Sequence, residues 1–534
     1  MLPPPGDRAF RRIALQILGQ RPASRCGRFH TSAVILLTRC GLRAQGVTLA
    51  RIMARSEGLP QCAGVSRSHP EDESRIGTAD AERHASYGYP PEGGGPMAVA
   101  VAETRERGVV YPEERLPWPQ TFLLGFQHVM VMFGATILVP LIVGFNPNTV
   151  VFFSGVATLI FLWITRGKVP SYLGSSFSFI GPILVIQGGP HGNHGPAYFG
   201  ILVAGVIYFA IGLLVQRAGV SVIRFLMPPV VTGTVVMVIG LALAGVAWTN
   251  FRGDLFTATV TVLTAAVASV YFKGLPRLLP VLTAVVVGYV VALIDPWCAG
   301  INAACHVTLE GVGQAHWFGL PPLAFPQVNL RAVSLFAFVP IVLVAENAGH
   351  VFAISGIMKR DLTGYLGRAF MGDAVGTVVS ALFGGTGETT YAENIGVLGV
   401  TRVFSIAVFV VAAVVAILFG FIPKFGAIVL SIPSSVLGGI ELYVFGLIAA
   451  IGGKIWVDGN VDFSRRANLA VAAIPLILAA GNADIRSGAF EINNLGLGAL
   501  GAIVLWQILR AGHLREDAEI EAARADTPET HVGA

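Results

Sequence analysis

Long apolar runs follow one another with only short polar breaks from Pro117 to about residue 511. A helix that crosses a bilayer needs roughly 20 apolar residues, and these runs have that scale. Hydrophobic residues make up 54% of the 534-residue chain and charged residues only 13%, whereas a single soluble core stops growing at roughly 250–300 residues. The bilayer must therefore solvate most of these side chains. We predict an all-α polytopic membrane protein.

Fourteen candidate spans can be counted in this region. They lie at residues 121–144, 149–165, 169–188, 197–215, 226–247, 255–272, 278–294, 332–354, 367–384, 390–402, 403–421, 432–452, 466–481 and 494–511. Lys and Arg recur after every second span, as at Arg166 and Lys168 after the second and Lys359 and Arg360 after the eighth. Because cytoplasmic connections carry the excess of Lys and Arg, we expect a plasma (inner) membrane protein with both termini cytoplasmic.

Residues 1–115 have a different composition from the rest. They contain no Lys, about eleven Arg before residue 68, and three of the five Cys, and no stretch is long enough to span a bilayer. Three interpretations are open: an organellar transit peptide, a disordered cytoplasmic extension, or a start placed too early, with Met97 opening the working protein. The last is favoured. Residues 512–534 are expected to form a cytoplasmic tail.

Two of the fourteen spans are poor helix formers. The third contains VPSYLGSSFSFIGPILV and the tenth contains FGGTGETTYAENIGV, with Ser, Gly, Pro, Thr and Glu at membrane depth. Non-helical backbone inside a bilayer must be covered by protein or line a cavity. Each of these spans is the third member of a run of seven, as two inverted seven-span repeats would give. Broken helices at corresponding places in two halves point to a transporter's binding site.

Ionisable side chains accompany the broken spans. In the eighth span, Glu346 and His350 lie four residues apart and so share one helix face. The first span carries Gln127 and His128, and the tenth carries Glu393. A single buried histidine is more often a satisfied core residue, but polar clusters in four spans favour a functional site. Glu346 and Glu393 have no Lys or Arg nearby in their own spans, so they are candidates to carry a proton.

Several motifs resemble a known family. The run ENIGVLGVTR from Glu393 to Arg402 is similar to the signature of the nucleobase-ascorbate transporters, and FQHVMVMFGATILVP, GKVPSYLGSSFSFIGP, AENAGH and TTYAENIGV follow in the order seen in the bacterial uracil permeases. The resemblance implies proton-coupled uptake by an elevator-like movement in a homodimer. It implies a core domain of residues 116–225 and 332–425 and a gate domain of 226–295 and 426–511. The alternation of Lys and Arg between connections places the loop at 296–331 outside the cytoplasm.

The resemblance also assigns roles to residues. It implies substrate binding by Glu346, Glu393, Tyr391, and backbone positions Ala135, Phe177 and Ala392, and proton coupling by Glu346, His350 and Glu393. Supporting positions would be Gln127, His128, Ser176, Asn394 and Gly396. Two positions depart from the pattern: uracil permeases often have Gly at Ala392, and relatives usually have Asn at Glu388.

Uracil suits these groups chemically. It offers two ring N–H donors and two carbonyl acceptors, so carboxylates can accept from the former and freed backbone N–H groups can donate to the latter. Xanthine and urate transporters of the family usually carry Gln where this chain has Glu393. A pyrimidine is therefore favoured over a purine such as xanthine, which remains the alternative substrate. Besides the membrane lipid, no nucleic acid, cofactor or metal is expected, and the coupling ion would come from a proton gradient.

Two other functional classes remain open but are disfavoured. Glu346 and His350 could be two ligands of a membrane-embedded metalloenzyme, but zinc sites need three or four ligands and no further cluster with ligand spacing is present. An anion exchanger of the same fold would need a positive site, whereas the carboxylates would repel an anion. Cys298 and Cys305 lie in the expected extracytoplasmic loop, where a disulfide is possible. A bonded pair and two free thiols are equally compatible with the sequence.

Overall fold

The structure is a computed structural model that describes residues 108–300, 302–488 and 490–525. Residues 1–107 lie outside this range, so the structure does not test the three interpretations of the N-terminal region. The helices are α1 (Trp118–Val143), α2 (Pro147–Ile164), α3 (Ile180–Gln187), α4 (Gly195–Ala218), α5 (Ser221–Leu226), α6 (Pro229–Ala242), α7 (Ala244–Phe251), α8 (Leu255–Tyr271), α9 (Leu275–Leu278), α10 (Pro280–Ile294) and α11 (Pro296–Gly300). They continue with α12 (Glu310–Gln314), α13 (Leu330–Phe336), α14 (Val339–Met358), α15 (Leu366–Leu382), α16 (Ala392–Thr401), α17 (Ile406–Gly420), α18 (Pro423–Leu430), α19 (Ser434–Asp458), α20 (Arg466–Ala480) and α21 (Asn494–Ala525).

Seven stretches of helix in the described part are long and apolar enough to cross a membrane, or eight if the bent pair α17 and α18 is one span. The chain is therefore a mostly helical polytopic membrane protein, as predicted. Four further apolar helices are shorter, at Phe177–Gln187, Leu255–Tyr271, Pro280–Ile294 and Arg466–Ala480. The predicted eighth span, 332–354, consists of α13 and α14, and α14 has Pro340 in its first turn, where a missing N–H is tolerated.

The helices pack in two groups. In the first, α4 and α15 pack against each other, α2 packs on α15 and α17, and α1 packs on α17. In the second, α19 packs on α6, α7 and α8, and α20 packs on α6 and α21. Thinner contacts join the groups where α10 meets α1 and α14 meets α6. The first group contains both of the spans that the sequence predicted to be broken.

Those two spans meet as a short antiparallel pair of strands. Strand β1 (Leu173–Ser175) pairs with β2 (Glu388–Thr390), with Gly174 opposite Thr389. Each strand then turns into a half-length helix: β1 leads through a single 3₁₀ turn, Phe177–Phe179, into α3, and β2 leads into α16. We call Leu173–Gln187 the first broken segment and Glu388–Thr401 the second. The pairing satisfies backbone groups that a broken helix would leave exposed.

Each half-helix contacts a different element beyond the strand pair. The end of α16 meets the strap, residues Val109–Glu114, where the Val110 N–H donates to the Arg402 carbonyl at 3.0 Å and Phe404 N–H donates back at 2.7 Å. Helix α3 packs on α13. Helix α13 also contacts the hairpin of β3 (Ile485–Ser487) and β4 (Phe490–Ile492). In that hairpin Glu491 pairs with both Arg331 and Arg486.

The question of Cys298 and Cys305 is answered by the structure. The two residues form a disulfide, with Cα atoms 5.0 Å apart. Both side chains are buried, and the bridge lies where α11 ends, beside the N-terminus of α19, whose Ser435 N–H donates to the Ala304 carbonyl at 3.0 Å.

Candidate functional site

Asn347 on α14 fixes the position of strand β2. Its Oδ1 accepts from the Thr390 hydroxyl at 2.6 Å, the Thr389 hydroxyl at 3.0 Å and the Thr390 N–H at 3.2 Å, and its Nδ2 donates to the Tyr208 hydroxyl at 2.8 Å. All of these groups are buried, where each hydrogen bond is costly to lose. Helix α14 and the second broken segment are therefore held in one register, which sets Glu346 on α14 relative to α16.

The same network determines the tautomer of His350. Its Nδ1 lies 2.8 Å from the Thr390 hydroxyl oxygen. Because that hydroxyl already donates its one hydrogen to Asn347, it can only accept from His350, so Nδ1 carries the hydrogen. Nε2 is then the acceptor and the atom that can take up a second proton. His350 is half-buried.

Glu346 and Glu393 are the half-buried carboxylates of this region. Glu346 stands on α14 one residue before Asn347, and its Oε2 accepts no hydrogen bond from the described residues. The Ser176 side chain, just before the 3₁₀ turn, lies close enough to interact with Glu346. Glu393 lies in the first turn of α16, after the half-buried Ala392. The two predicted carboxylates are thus near the start of both half-helices, where first-turn N–H groups have no intrahelical partner.

Tyr391 connects the two broken segments from inside. It is 3% exposed, its hydroxyl donates to the Ser175 carbonyl at 3.0 Å, and it accepts from the Thr136 hydroxyl at 3.1 Å. The Tyr391 ring covers Gly174, where any side chain would collide with it. Ala135, the predicted backbone position on α1, is buried directly before Thr136. The tyrosine hydroxyl is therefore occupied by the protein itself.

Phe177 lies where the two helix groups meet. Its ring packs edge-on against Phe445 of α19, with centroids 5.8 Å apart. Ser176 before it caps the 3₁₀ turn, since its hydroxyl oxygen accepts from the Ser178 N–H at 3.3 Å. An aromatic side chain of the first broken segment thus reaches the second group of helices.

His128 and Asn394, predicted to support the site, bond to each other. Asn394 Nδ2 donates to the Nδ1 and to the carbonyl oxygen of His128, both at 3.0 Å, and the His128 ring packs on Phe409 at 4.7 Å. This buried pair attaches α16 to α1. Gln127 beside it is half-buried, and Gly396, also predicted as supporting, is exposed on α16.

Two further carboxyl groups near the strands are more deeply buried than Glu346 and Glu393. Glu388 and Asp373 are both fully buried, and Ser380 donates to Glu388 Oε1 at 3.1 Å. Glu388 stands out in the sequence as a departure from the family pattern, whereas Asp373, Asn347, Thr390 and Thr136 were not predicted from it. A signal existed for Asp373 and Asn347, because each is a strongly polar residue within an apolar helix.

A metal site at Glu346 and His350 would need further ligands beside them. Among the described residues, one group of three His, Cys, Asp or Glu side chains is close enough to share an ion: Asp254, Cys298 and Cys305. Its two cysteines are joined by the disulfide. Glu346 and His350 do not belong to that group.

Comparison with known proteins identifies the family. Residues 119–487 match the model of the Permease family that covers xanthine and uracil permeases. The chain is 44% identical over 411 residues to the putative pyrimidine permease RutG of Escherichia coli, covering 76% of this chain and 92% of the relative. It is 40% identical over 410 residues to the uracil permease of Bacillus caldolyticus, covering 73% and 92%. The uracil permease of Bacillus subtilis is 36% identical over 442 residues, covering 78% and 97%.

Solved structures show the same fold at low identity. The transmembrane domain of the cyanobacterial bicarbonate transporter BicA aligns with a TM-score of 0.50 at 14% identity, covering 74% of this chain and 99% of that domain. The murine anion transporter solute carrier 26 family member A9 aligns with a TM-score of 0.57 at 11% identity, covering 75% of this chain and 69% of that one.

The extent of these matches decides the class of the protein. The family model covers more than two thirds of the chain, the relatives match over most of their own length, and the relatives named above are permeases. The predicted transporter function, rather than an enzymatic one, is confirmed. The chain belongs to the nucleobase-ascorbate transporter family of membrane permeases.

Proposed function

We propose that the protein imports a nucleobase together with protons, and that its substrate is uracil. The observation that carries this proposal is the arrangement of Glu346 and Glu393: two half-buried carboxylates beside the N-termini of two half-helices. The names of relatives at 36–44% identity, uracil permease and pyrimidine permease, support the same substrate class.

The proposed recognition uses complementary hydrogen bonds. Carboxylate oxygens of Glu346 and Glu393 accept from the two ring N–H groups of uracil. Backbone N–H groups at the start of the half-helices, around Phe177 and Ala392, donate to its carbonyl groups. In a site with little water these bonds contribute more than they would at the surface. Because the Tyr391 hydroxyl is bonded within the protein, we assign that residue to shaping the site, and the ring of Phe177 to contact with the flat base.

Proton coupling is proposed to run through Glu346, His350 and Glu393. Among the ion pairs of the described residues, none includes Glu346 or Glu393, so a proton is the natural partner of either charge. His350 adds a third group, since its Nε2 remains an acceptor. A proton bound on one side of the membrane and released on the other would make uptake depend on the proton gradient.

Alternating access is proposed to be an elevator movement of the first helix group, the core domain, against the second, the gate domain. The packing of helices within two groups with thinner contacts between them supports this division. The complete span count of fourteen, the inverted seven-span repeat, cytoplasmic termini in a plasma membrane and a homodimer surrounded by lipid belong to the same proposal.

An anion exchanger is the other function that the fold allows, since both aligned structures are named as bicarbonate or anion transporters. Two carboxylates in the site oppose it because like charges repel. Purified protein in proteoliposomes should take up labelled uracil when the outside is acidic. Uptake should be inhibited by unlabelled uracil and unaffected by sulfate or bicarbonate. Inhibition by xanthine in place of uracil would move the assignment to a purine permease.

A further inference from the structure

Glu388 and Asp373 form a carboxyl pair separate from the groups proposed to bind uracil. Both have 0% exposure, whereas Glu346 and Glu393 are half-buried. Glu388 begins β2, and its backbone N–H donates to the Thr377 hydroxyl at 3.0 Å. Thr377 and Ser380 on α15 face it, and Asp373 lies one turn before Thr377 on that helix. The pair therefore lies between α15 and the paired strands, and it is more deeply buried than Glu346 and Glu393.

The hydrogen bonding of this pair is incomplete. Ser380 donates to Glu388 Oε1, but Glu388 Oε2 and both carboxyl oxygens of Asp373 have no hydrogen-bond partner within the described part of the chain. A carboxyl group that stayed protonated for a purely structural reason would normally donate its O–H to an acceptor. A buried polar group without a partner destabilises the folded protein, so its retention calls for a function.

The charged surroundings restrict which ligand fits. The titratable groups around Glu388 are Asp373 on α15, Tyr172 just before β1 and Tyr391 after β2, and Glu346 on α14 lies within electrostatic reach of Asp373. All are acids, and none is paired with Lys or Arg in an ion pair of the described residues. Within the described part of the chain, these carboxylates belong to no group of three or more side chains close enough to share a metal ion. Two neighbouring buried carboxyls cannot both be ionised, so they hold a proton.

We propose that Glu388 and Asp373 form a second proton-binding site, which exchanges a proton during transport in addition to those bound by Glu346, His350 and Glu393. This inference rests on the proposed proton-coupled uptake. Because Asp373 senses the charge of Glu346, the protonation of the pair depends on the state of the uracil site. Only an O–H bond forms and breaks: the pair takes up a proton facing one side of the membrane and releases it facing the other.

The first test needs no substrate. Infrared spectra of purified protein are recorded between about pH 5 and 9 for wild type and Glu388→Gln. Their difference isolates the C=O stretching band of protonated Glu388. The proposal expects this band to disappear as the pH rises. A band that stays constant, or one that is absent throughout, would overturn it, because Glu388 would then be permanently neutral or permanently ionised.

The second test measures coupling. In proteoliposomes, the number of protons carried per uracil is obtained from the membrane potential that stops net uptake at a fixed pH gradient. Glu388→Gln is expected to carry about one proton fewer per uracil than wild type. Glu441→Gln is the matched control: Glu441 is also fully buried, but it lies on α19, and both its oxygens accept from Asn250, at 2.9 and 3.0 Å. It should keep the wild-type ratio.

Further variants keep the proposal open to refutation. If Glu388→Gln does not fold, Glu388→Asn replaces it, and Ser380→Ala should move the pH at which the infrared band disappears. An unchanged proton ratio in a folded Glu388 variant overturns the proposal. Uptake driven by a sodium gradient at equal pH, and lost in the variant, overturns it in favour of sodium. Absence of uracil uptake by the wild type would refute the proposed function instead, while the infrared titration would still decide the proton site.

Discussion

The two broken segments share one backbone plan and differ in chemistry. Each is a three-residue strand that turns into a half-length helix, and the strands pair with each other. The first segment presents hydroxyls and a phenylalanine, at Ser175, Ser176 and Phe177, while the second presents the carboxylates Glu388 and Glu393. Breaking a helix therefore provides backbone donors in both segments, whereas the charged side chains are supplied by the second segment alone. Glu346 on α14 completes the set.

The largest expected effect on uracil binding comes from the second broken segment, which carries the carboxylates. Glu393→Gln should weaken uracil binding about 10- to 100-fold, because a hydrogen bond to a charged group contributes about 1.5–3 kcal/mol and the amide NH₂ would face a substrate N–H. Glu346→Gln should do the same. Equilibrium binding of labelled uracil to purified protein measures this, with Glu441→Gln as a control that keeps wild-type affinity. Wild-type affinity in either site variant would remove that residue from the proposed site.

A smaller effect, on stability, is expected from removing the Tyr391 hydroxyl, which joins the two broken segments. Tyr391→Phe deletes the hydroxyl between Thr136 and the Ser175 carbonyl and should destabilise the protein by about 1–3 kcal/mol, the usual result of leaving a buried polar group unpaired. Thermal unfolding in detergent should show a lower melting temperature for Tyr391→Phe. The exposed Tyr271→Phe is the control. Equal melting temperatures would mean that the two segments are held together without this hydroxyl.

Substitutions in the first broken segment, which carries no charged side chain, should reduce uracil binding less. Ser176→Ala removes the cap of the 3₁₀ turn and a neighbour of Glu346, and a lost cap costs about 1 kcal/mol, equivalent to an affinity change of about 5-fold. The same binding assay applies. A loss as large as that of Glu393→Gln would contradict the division of roles, because it would mean that a hydroxyl of the first segment binds uracil as strongly as a carboxylate of the second.

The smallest effect on stability is expected from the ion pairs of Glu491, in the hairpin that packs on α13. Burial raises the pKa of Glu491, but hydrogen bonds from Arg331 and Arg486 outweigh it, and the net pKa lies below the usual value. Its stabilising contribution is therefore present above the unfolded carboxyl pKa and is lost as pH falls through the lower, folded pKa. Glu491→Gln should cost at most about 1 kcal/mol near neutral pH, since both arginines are partly exposed.

Thermal unfolding across pH tests this expectation. The difference in melting temperature between wild type and Glu491→Gln should shrink as the pH falls through the lowered folded pKa of Glu491, where the wild-type carboxyl becomes protonated. A difference that is constant with pH would show that the effect of the substitution does not come from the charge of Glu491.

Sequence reasoning predicted the backbone of the site better than its bonding. Ser, Gly and Pro inside two apolar runs located both broken segments, and the spacing of Glu346 and His350 placed them on one helix face. It could not find the partners of the polar groups. Thr136 and Tyr391 are 255 residues apart, and His128 and Asn394 are 266 apart. A buried polar group must have a partner, but a single sequence does not state which of many hydroxyls and amides will meet it.

The disulfide and the deep carboxyl pair show the same limit. The loop of Cys298 and Cys305 was compatible with both a bonded pair and free thiols, because the choice depends on how the backbone turns between them. Asp373 is a polar residue within an apolar helix, but the sequence does not show which side chain it faces. Its importance emerges only when α15 is packed against β2, next to Glu388.

Uptake of labelled uracil into proteoliposomes tests the central claim most directly, with wild type and Glu393→Gln measured side by side. We expect wild-type uptake to rise as the outside is acidified from about pH 8 to 6, to collapse with a protonophore, and to be lost in Glu393→Gln. Uptake that ignores the proton gradient, or that survives in Glu393→Gln at wild-type rate, would contradict it.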